Sequence, residues 1–439
     1  MNPSLHRVGA AGSLRVFSTD RFKSSLLSVS SAMPITPRSA CLAPLLLSVL
    51  RRGTEKYPTL ADINRHLDYL WGTGFSIRSF YRGNCQILGF SAELLDPSYL
   101  PAGAEDLTDA ALALLEQILF FPALDADGLL SEKYVESEKE LQIDAIRAAK
   151  NNPRGYAMER CRSILYDGEA CGIPQYGTEE ETASVTREEL TAFWREWVAH
   201  WTPDCFYVGP ADPEELRLLL ERRLGARIAP VRDLLPAILG KKAAGRGIRC
   251  EESLSVSQSH LVMGLRCEAG LNDSGYYAYA VMNELLGASP VSRLFIHVRE
   301  RLSLCYSCAS LYNPFMGTLL ITCGIRAENR ESAEREILNQ IEQIAKGAFS
   351  DGELEAAKKS LDHAYAQLHD SPGGLENFFY GRALAQNTAS PEACREGFAR
   401  VTAMEVACAA RALALDVTFF LEGTLIGEEG EDEDDGEEI

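Results

Sequence analysis

The sequence contains no apolar run approaching the roughly 20 residues that cross a bilayer as a helix, so no membrane span is expected. Its first thirty residues carry Arg7, Arg15, Arg21 and Lys23 but no apolar stretch of about 7–15 residues, so no secretory signal is expected. Basic charge is in short supply: 43 Lys and Arg face 63 Asp and Glu, a net charge of −20. That balance argues against nucleic acid or an anionic membrane surface as the partner. None of the 34 glycines builds a phosphate-cradling loop, and no nucleophile elbow is present. Histidine is scarce, at seven residues, and no His-x-x-Glu-His occurs anywhere.

What is there is the composition of an ordinary globular protein, 46% hydrophobic and 24% charged over 439 residues. That length suffices for two domains with sizeable cores. Nine acids lie within residues 427–439, leaving a net charge of −11 for the rest. A like-charge run without an apolar anchor is predicted to be disordered. Twelve cysteines are scattered, among them Cys41, Cys161, Cys205 and Cys323 in apolar contexts. Without an export signal they read as buried free thiols of a cytoplasmic protein.

Two consecutive segments carry the most specific signal. Residues 43–54, Ala-Pro-Leu-Leu-Leu-Ser-Val-Leu-Arg-Arg-Gly-Thr, read as an apolar helix ending at Gly53. A second helical stretch, Leu60–Asp68, leads to Leu70-Trp71-Gly72-Thr73-Gly74. This succession resembles the opening of the pitrilysin/insulinase metallopeptidases, whose first helix bears His-x-x-Glu-His ahead of a Gly-Thr. Two histidines four apart share one helical face and reach one zinc ion, and the glutamate deprotonates the bound water. Counted back from Gly53-Thr54, the three motif positions hold Pro44, Leu47 and Ser48. None supplies a competent zinc ligand or base. The family's third ligand is the second glutamate of a Glu-x6-Glu pattern. Here Glu138 matches the first glutamate, and Ala145 stands at the ligand position. The resemblance therefore implies a degenerate site, with no metal and no catalytic residue on this chain.

The chain also repeats itself. Phe75–Leu95 and Tyr306–Glu328 both read as paired strands, turning at Arg82-Gly83-Asn84 and near Pro314–Gly317. Each is followed by an apolar helical stripe, then by Asp-Gly at 127–128 and 351–352 and a charged helix. The matched features recur after roughly 225–231 residues. An α+β fold of two tandem homologous domains is the economical explanation. The expected division is an N-terminal peptidase-like domain over 1–230, a linker over 231–246, a C-terminal domain over 247–426 and the acidic tail over 427–439. The second domain is predicted to open with one alternating strand over Leu254–Leu265. The resemblance names this the pitrilysin/insulinase, LuxS/MPP-like metallohydrolase fold.

Further residues match the family in the second half. Along Ser292–Ser307, Arg299 and Tyr306 occupy the places of an arginine and a tyrosine, seven apart, that project toward bound peptide. An arginine there donates to carbonyls or a carboxylate, and a tyrosine hydroxyl donates to a developing oxyanion. Without the resemblance, the two residues read rather as a helix-surface arginine paired with Glu300 or a neighbour and a tyrosine filling a strand face. Cys305-x-x-Cys308 is solitary, and residues three apart on a regular strand face opposite sides, so neither metal nor redox chemistry is assigned to it. His297-x-x-Glu300 lacks its second histidine, since Arg301 stands there. His66, His363 and His369 complete no ligand set.

Taken together, the resemblance implies a non-catalytic subunit of a zinc-peptidase heterodimer. Zinc and the catalytic glutamate would come from a related, motif-bearing partner, and this chain would contribute Arg299 and Tyr306 toward a peptide or unfolded protein. Within the family it is most similar to bacterial proteins associated with 5-aminopentanol modification of elongation factor P. The other reading is a scaffold that keeps the fold without proteolysis.

Overall fold

The computed structural model describes residues 2–231 and 245–425. In the first half the elements are β1 (Ser4–Val8), β2 (Gly12–Ser18), β3 (Ser24–Pro34), α1 (Pro37–Leu50), α2 (Leu60–Tyr69), β4 (Gly74–Arg82) and β5 (Cys85–Leu95). They are followed by α3 (Leu107–Phe120), α4 (Glu132–Ala148), α5 (Pro153–Leu165), α6 (Glu179–Ala183), α7 (Arg187–Ala199), β6 (Asp204–Gly209) and α8 (Pro213–Leu224). The second half holds β7 (Ile248–Leu254), β8 (Ser259–Arg266), α9 (Tyr276–Asn283), β9 (Cys305–Asn313) and β10 (Thr318–Ile325). It ends with α10 (Arg330–Ala345), α11 (Asp351–Gln367), α12 (Pro372–Leu384), α13 (Pro391–Arg400), α14 (Ala403–Arg411) and β11 (Ala414–Gly423).

The repeat read from the sequence is a repeat of topology. The first sheet runs β1-β2-β6-β3-β5-β4 and the second β7-β11-β8-β10-β9. Each has one parallel pair, β2 with β6 and β7 with β11, and is otherwise antiparallel. The β1 strand is an extra edge on the first. Both hairpins turn where expected, with Gly83 at φ +56° and Gly317 at φ +60°, a conformation that glycine adopts without strain. The single strand expected over Leu254–Leu265 is instead two, because the chain bends between β7 and β8. All eight residues of β8 are buried, so no alternation survives at its centre. Most of the predicted linker and the whole of the predicted acidic tail lie outside the described residues.

One face of each sheet is covered by helices of its own half, with a large apolar core beneath α1, α3, α7 and α8 in the first and beneath α9, α10, α11, α13 and α14 in the second. The other face is covered by the opposite half. Helix α5 lays Ala157, Cys161 and Leu165 against Val262, Val417, Phe419 and Leu421 of the second sheet. Reciprocally, α12 lays Leu375 and Phe379 against Phe17, Leu26, Phe206 and Val208 of the first.

An ionic node joins the two halves. Asp416, fully buried, receives hydrogen bonds from Arg246 Nε at 2.9 Å and Arg266 Nε at 3.0 Å. Arg246 also donates to the carbonyls of Ile164 and Leu165, and Arg266 pairs with Glu169 at 2.8 Å. Arg246, at the end of the predicted linker, is therefore an anchor rather than a spacer. Burial pushes the Asp416 carboxyl up, but hydrogen bonds from Arg246 and Arg266 carry it below the usual aspartate range. A depressed native pKa contributes stability that is present above the unfolded value of about 3.9 and lost as pH falls through the native value. Asp416→Ala, leaving the buried Arg266 without its charge partner, is expected to cost about 3–5 kcal/mol in denaturant unfolding. The same variant should show a weaker loss of stability on acidification below about pH 3.9 than the parent does.

Candidate functional site

Helix α1 is nucleated by a capping box: Thr36 accepts from the Ser39 amide, and Ser39 returns a bond to the Thr36 amide, with Pro37 at the first turn. It begins earlier than the apolar run suggested and ends at Leu50, just ahead of Gly53. A Cβ at Gly53 would lie 2.3 Å from the Pro58 carbonyl oxygen, so only glycine fits there. The positions read from the sequence as a degenerate motif follow one stretch of this helix. Pro44 and Leu47 are buried, and Ser48 is exposed one turn beyond Pro44. Pro44 sits inside the helix, where it can donate no backbone hydrogen bond.

Helix α4 packs on α1, so the fold brings the segment of the third ligand beside the first helix. Ala145 is exposed there and offers a methyl group. What holds the two helices together is a polar clamp. Gln142 Nε2, buried, donates to the Cys41 carbonyl at 3.2 Å, to Thr182 Oγ1 at 3.2 Å and to the Tyr176 carbonyl at 3.4 Å. Glu138 pairs with Arg52 just past the end of α1. The junction is thus tied by an amide and an ion pair.

Arg299 and Tyr306 come together in one pocket of about 560 Å³, which Ser303, Arg326 and Glu328 also line. The chain reaches Arg299 through a π-helical turn, Phe295–Arg301. Such turns are frequent at functional sites. Ser303 then adopts φ +48°, a conformation costly for a side chain with a Cβ, and delivers the chain into β9. Arg299 is exposed, its guanidinium 4.8 Å over the Phe295 ring and 3.5 Å from Glu300. An exposed pair of that length contributes little, so it does not hold the guanidinium in one place. Tyr306 is 58% exposed, and its hydroxyl accepts a long hydrogen bond, 3.5 Å, from Arg326 Nε. The tyrosine does not fill a strand face.

The Cys-x-x-Cys behaves differently from the sequence expectation. Cys308 lies opposite Cys323 and Ser307 opposite Gly324, but Ile325 faces Cys305, so Tyr306 is an extra residue in β9. The bulge swings Tyr306 outward and returns Cys305 to the side of Cys308. The sulfurs of Cys305, Cys308 and Cys323 lie within 4.8 Å of one another, and they form the one such group of potential metal ligands among the described residues. Hydrogen bonds from Cys308 and then Cys323 outweigh burial and hold the Cys305 thiol well below the usual range, with Arg299 adding to the effect. The hydrogen bond to Cys305 in turn pushes Cys308 and Cys323 up. The histidines stay apart: His66 stacks on Tyr57 at 4.7 Å, and His369 bonds Glu392 at 3.1 Å.

Residues 184–361 match the family model described as Peptidase M16 inactive domain. Over that segment the chain is similar to the inactive domain of M16 peptidases. It is 27% identical, over 93% of this chain and 95% of the relative, to a Bacillus subtilis protein named probable inactive metalloprotease YmfF. It is 24% identical to YmxG of Bacillus subtilis, named an uncharacterized zinc protease, over 69% of this chain and 73% of that one. A conserved protein from Enterococcus faecalis V583, of known crystal structure, superposes with a TM-score of 0.87 at 25% identity, over 98% of this chain and 100% of that chain. The matched M16 segment contains Arg299 and Tyr306 and none of α1 or α4. No helix among the described residues is long and apolar enough to cross a membrane.

Chemically, Pro44, Leu47, Ser48 and Ala145 offer neither imidazole nor carboxylate, while the second half presents a cation, a phenol and the Cys305 thiol around one opening, with Cys308 and Cys323 behind it in the core. If Gln142 is what closes the α1–α4 junction, Gln142→Leu will take one donor each from Thr182 Oγ1 and from the Cys41 and Tyr176 carbonyls. Thermal or denaturant unfolding should then register a loss of about 1–3 kcal/mol.

Proposed function

We propose that this chain is the non-catalytic subunit of a two-chain M16 peptidase, in which a motif-bearing partner supplies zinc and the catalytic glutamate. The substrate is a peptide or an unfolded protein. Arg299 grips its carbonyls or carboxylate, and the Tyr306 hydroxyl donates to the oxyanion that forms as the peptide bond is attacked. The observation that carries this reading is the contrast between the two halves. The positions that would hold the metal carry Pro44, Leu47, Ser48 and Ala145, whereas Arg299 and Tyr306 are exposed on one pocket and neither is locked into an internal contact. Similarity to a relative named an inactive metalloprotease supports the first part of that contrast. Processing in the service of elongation factor P modification is the setting that the sequence resemblance suggests.

Alone, the purified chain should cleave no peptide. Mixed with a zinc-motif-bearing M16 relative from the same cell, it should yield peptidase activity that neither chain has by itself. Arg299→Ala and Tyr306→Phe should each lower that activity, between about tenfold and the roughly 10²–10³-fold typical of a lost oxyanion donor. Activity of the mixture that is indifferent to both substitutions sinks the complementation reading, and a mixture that stays inert points to a scaffold.

A further inference from the structure

The cysteine cluster is the feature that the reading above leaves unused. Of the twelve cysteines, seven are buried apart from one another in the cores, yet three from two adjacent strands converge. Cys308 and Cys323 are directly cross-strand partners, and both lie in the apolar core of the second half. Cys305 is half-buried and lines the pocket that also holds Arg299 and Tyr306. The three sulfurs thus form a triangle with two corners in the core and one at the opening.

The size of the triangle matters. Zinc–sulfur bonds of about 2.3 Å place ligand sulfurs about 3.8 Å apart at tetrahedral angles, and these three already lie within 4.8 Å of one another. Drawing them onto one ion requires movements of a few tenths of an ångström in side chains, not in the sheet. The donor set contains no carboxylate or imidazole. Three thiolates select a soft, closed-shell cation of the Zn²⁺ or Cu⁺ kind over Mg²⁺ or Ca²⁺. Excess negative charge on such a site is offset by Arg299, whose field already favours the Cys305 thiolate.

We propose that Cys305, Cys308 and Cys323 bind one thiophilic d10 cation, with the remaining coordination position facing the pocket of Arg299 and Tyr306. Three metal–sulfur bonds form as the protons still on the thiols leave to solvent. The site lies on the second sheet and is separate from the degenerate positions on α1 and α4. Its consequence is mechanical as well as chemical. An ion held by Cys305 on one side of Tyr306 and by Cys308 on the other fixes the bulge between them, and so fixes the direction in which Tyr306 projects.

The test uses the full chain, reduced and stripped of metal, titrated first with Co²⁺ as a reporter and then with Zn²⁺. One equivalent of Co²⁺ should produce thiolate-to-cobalt charge-transfer absorption, and one equivalent of Zn²⁺ should abolish it. Cys305→Ser alters only the half-buried corner and should leave the fold intact by circular dichroism. It should also weaken Zn²⁺ binding by more than the roughly 10–100-fold that loss of a supporting contact costs. Cys323→Ser should do the same in the core, and Cys408→Ser, exposed on α14, should change nothing. Absence of the charge-transfer band in the reduced parent, or a band that survives Cys305→Ser, overturns the proposal. None of these readouts depends on a partner chain, so the complementation reading stands or falls separately.

Discussion

The structure depends on the fact that a sheet has two faces and each half of this chain can cover only one with its own helices. The central strands β3, β6, β8 and β11 are buried almost end to end, on both sides. Each sheet therefore requires a second layer, and each receives it from the other half, α12 on the first and α5 on the second. A fully buried leucine or phenylalanine is worth about 1.5–3 kcal/mol, so Leu165, Phe206, Leu375, Phe379 and Phe419 together make this exchange a major share of the cohesion. The Arg246–Asp416–Arg266 node sits at the same seam and ties the carbonyl end of α5 to the last strand. The two repeats are therefore one folding unit, even though each carries a complete sheet.

That exchange also fixes where chemistry can occur. Helices α1 and α4 are tied to each other by Gln142 and by the Arg52–Glu138 pair. In the second half, the π-helical turn, Ser303 at φ +48° and the bulge at Tyr306 follow within about a dozen residues. Irregular backbone gathered beside one pocket is costly and persists only where the surrounding packing enforces it. The M16 fold thus carries a regular, well-tied junction at one candidate site and a strained, open one at the other.

Much of this was legible in the sequence, for reasons that can be stated residue by residue. Side-chain chemistry is local, so it is readable without any structure that Pro44, Leu47, Ser48 and Ala145 offer neither imidazole nor carboxylate. Hairpins are local too: Gly83 and Gly317 mark their turns, and the repeat follows from them. The exchange of α5 and α12 was hidden because amphipathic spacing shows that a face is apolar, not which sheet it meets. Cys305, Cys308 and Cys323 were hidden for a related reason. Their convergence rests on an extra residue in the pairing of β9 with β10, and a bulge is a property of two strands together. The break between β7 and β8 was missed because a strand buried on both faces loses the alternation by which strands are recognised.

The place of β11 in the second sheet bears on how the molecule is made. This strand lies between β7 and β8, although it is the last of the three in the chain. During synthesis, β7 emerges with its parallel partner still untranslated, and α5 waits for the Val417, Phe419 and Leu421 side chains that will cover its apolar face. The first half cannot shield that face by itself, so the nascent chain carries exposed apolar surface until nearly all of the second half has left the ribosome. Such long-range closure is slow, and a chain that depends on it is exposed to aggregation while it waits.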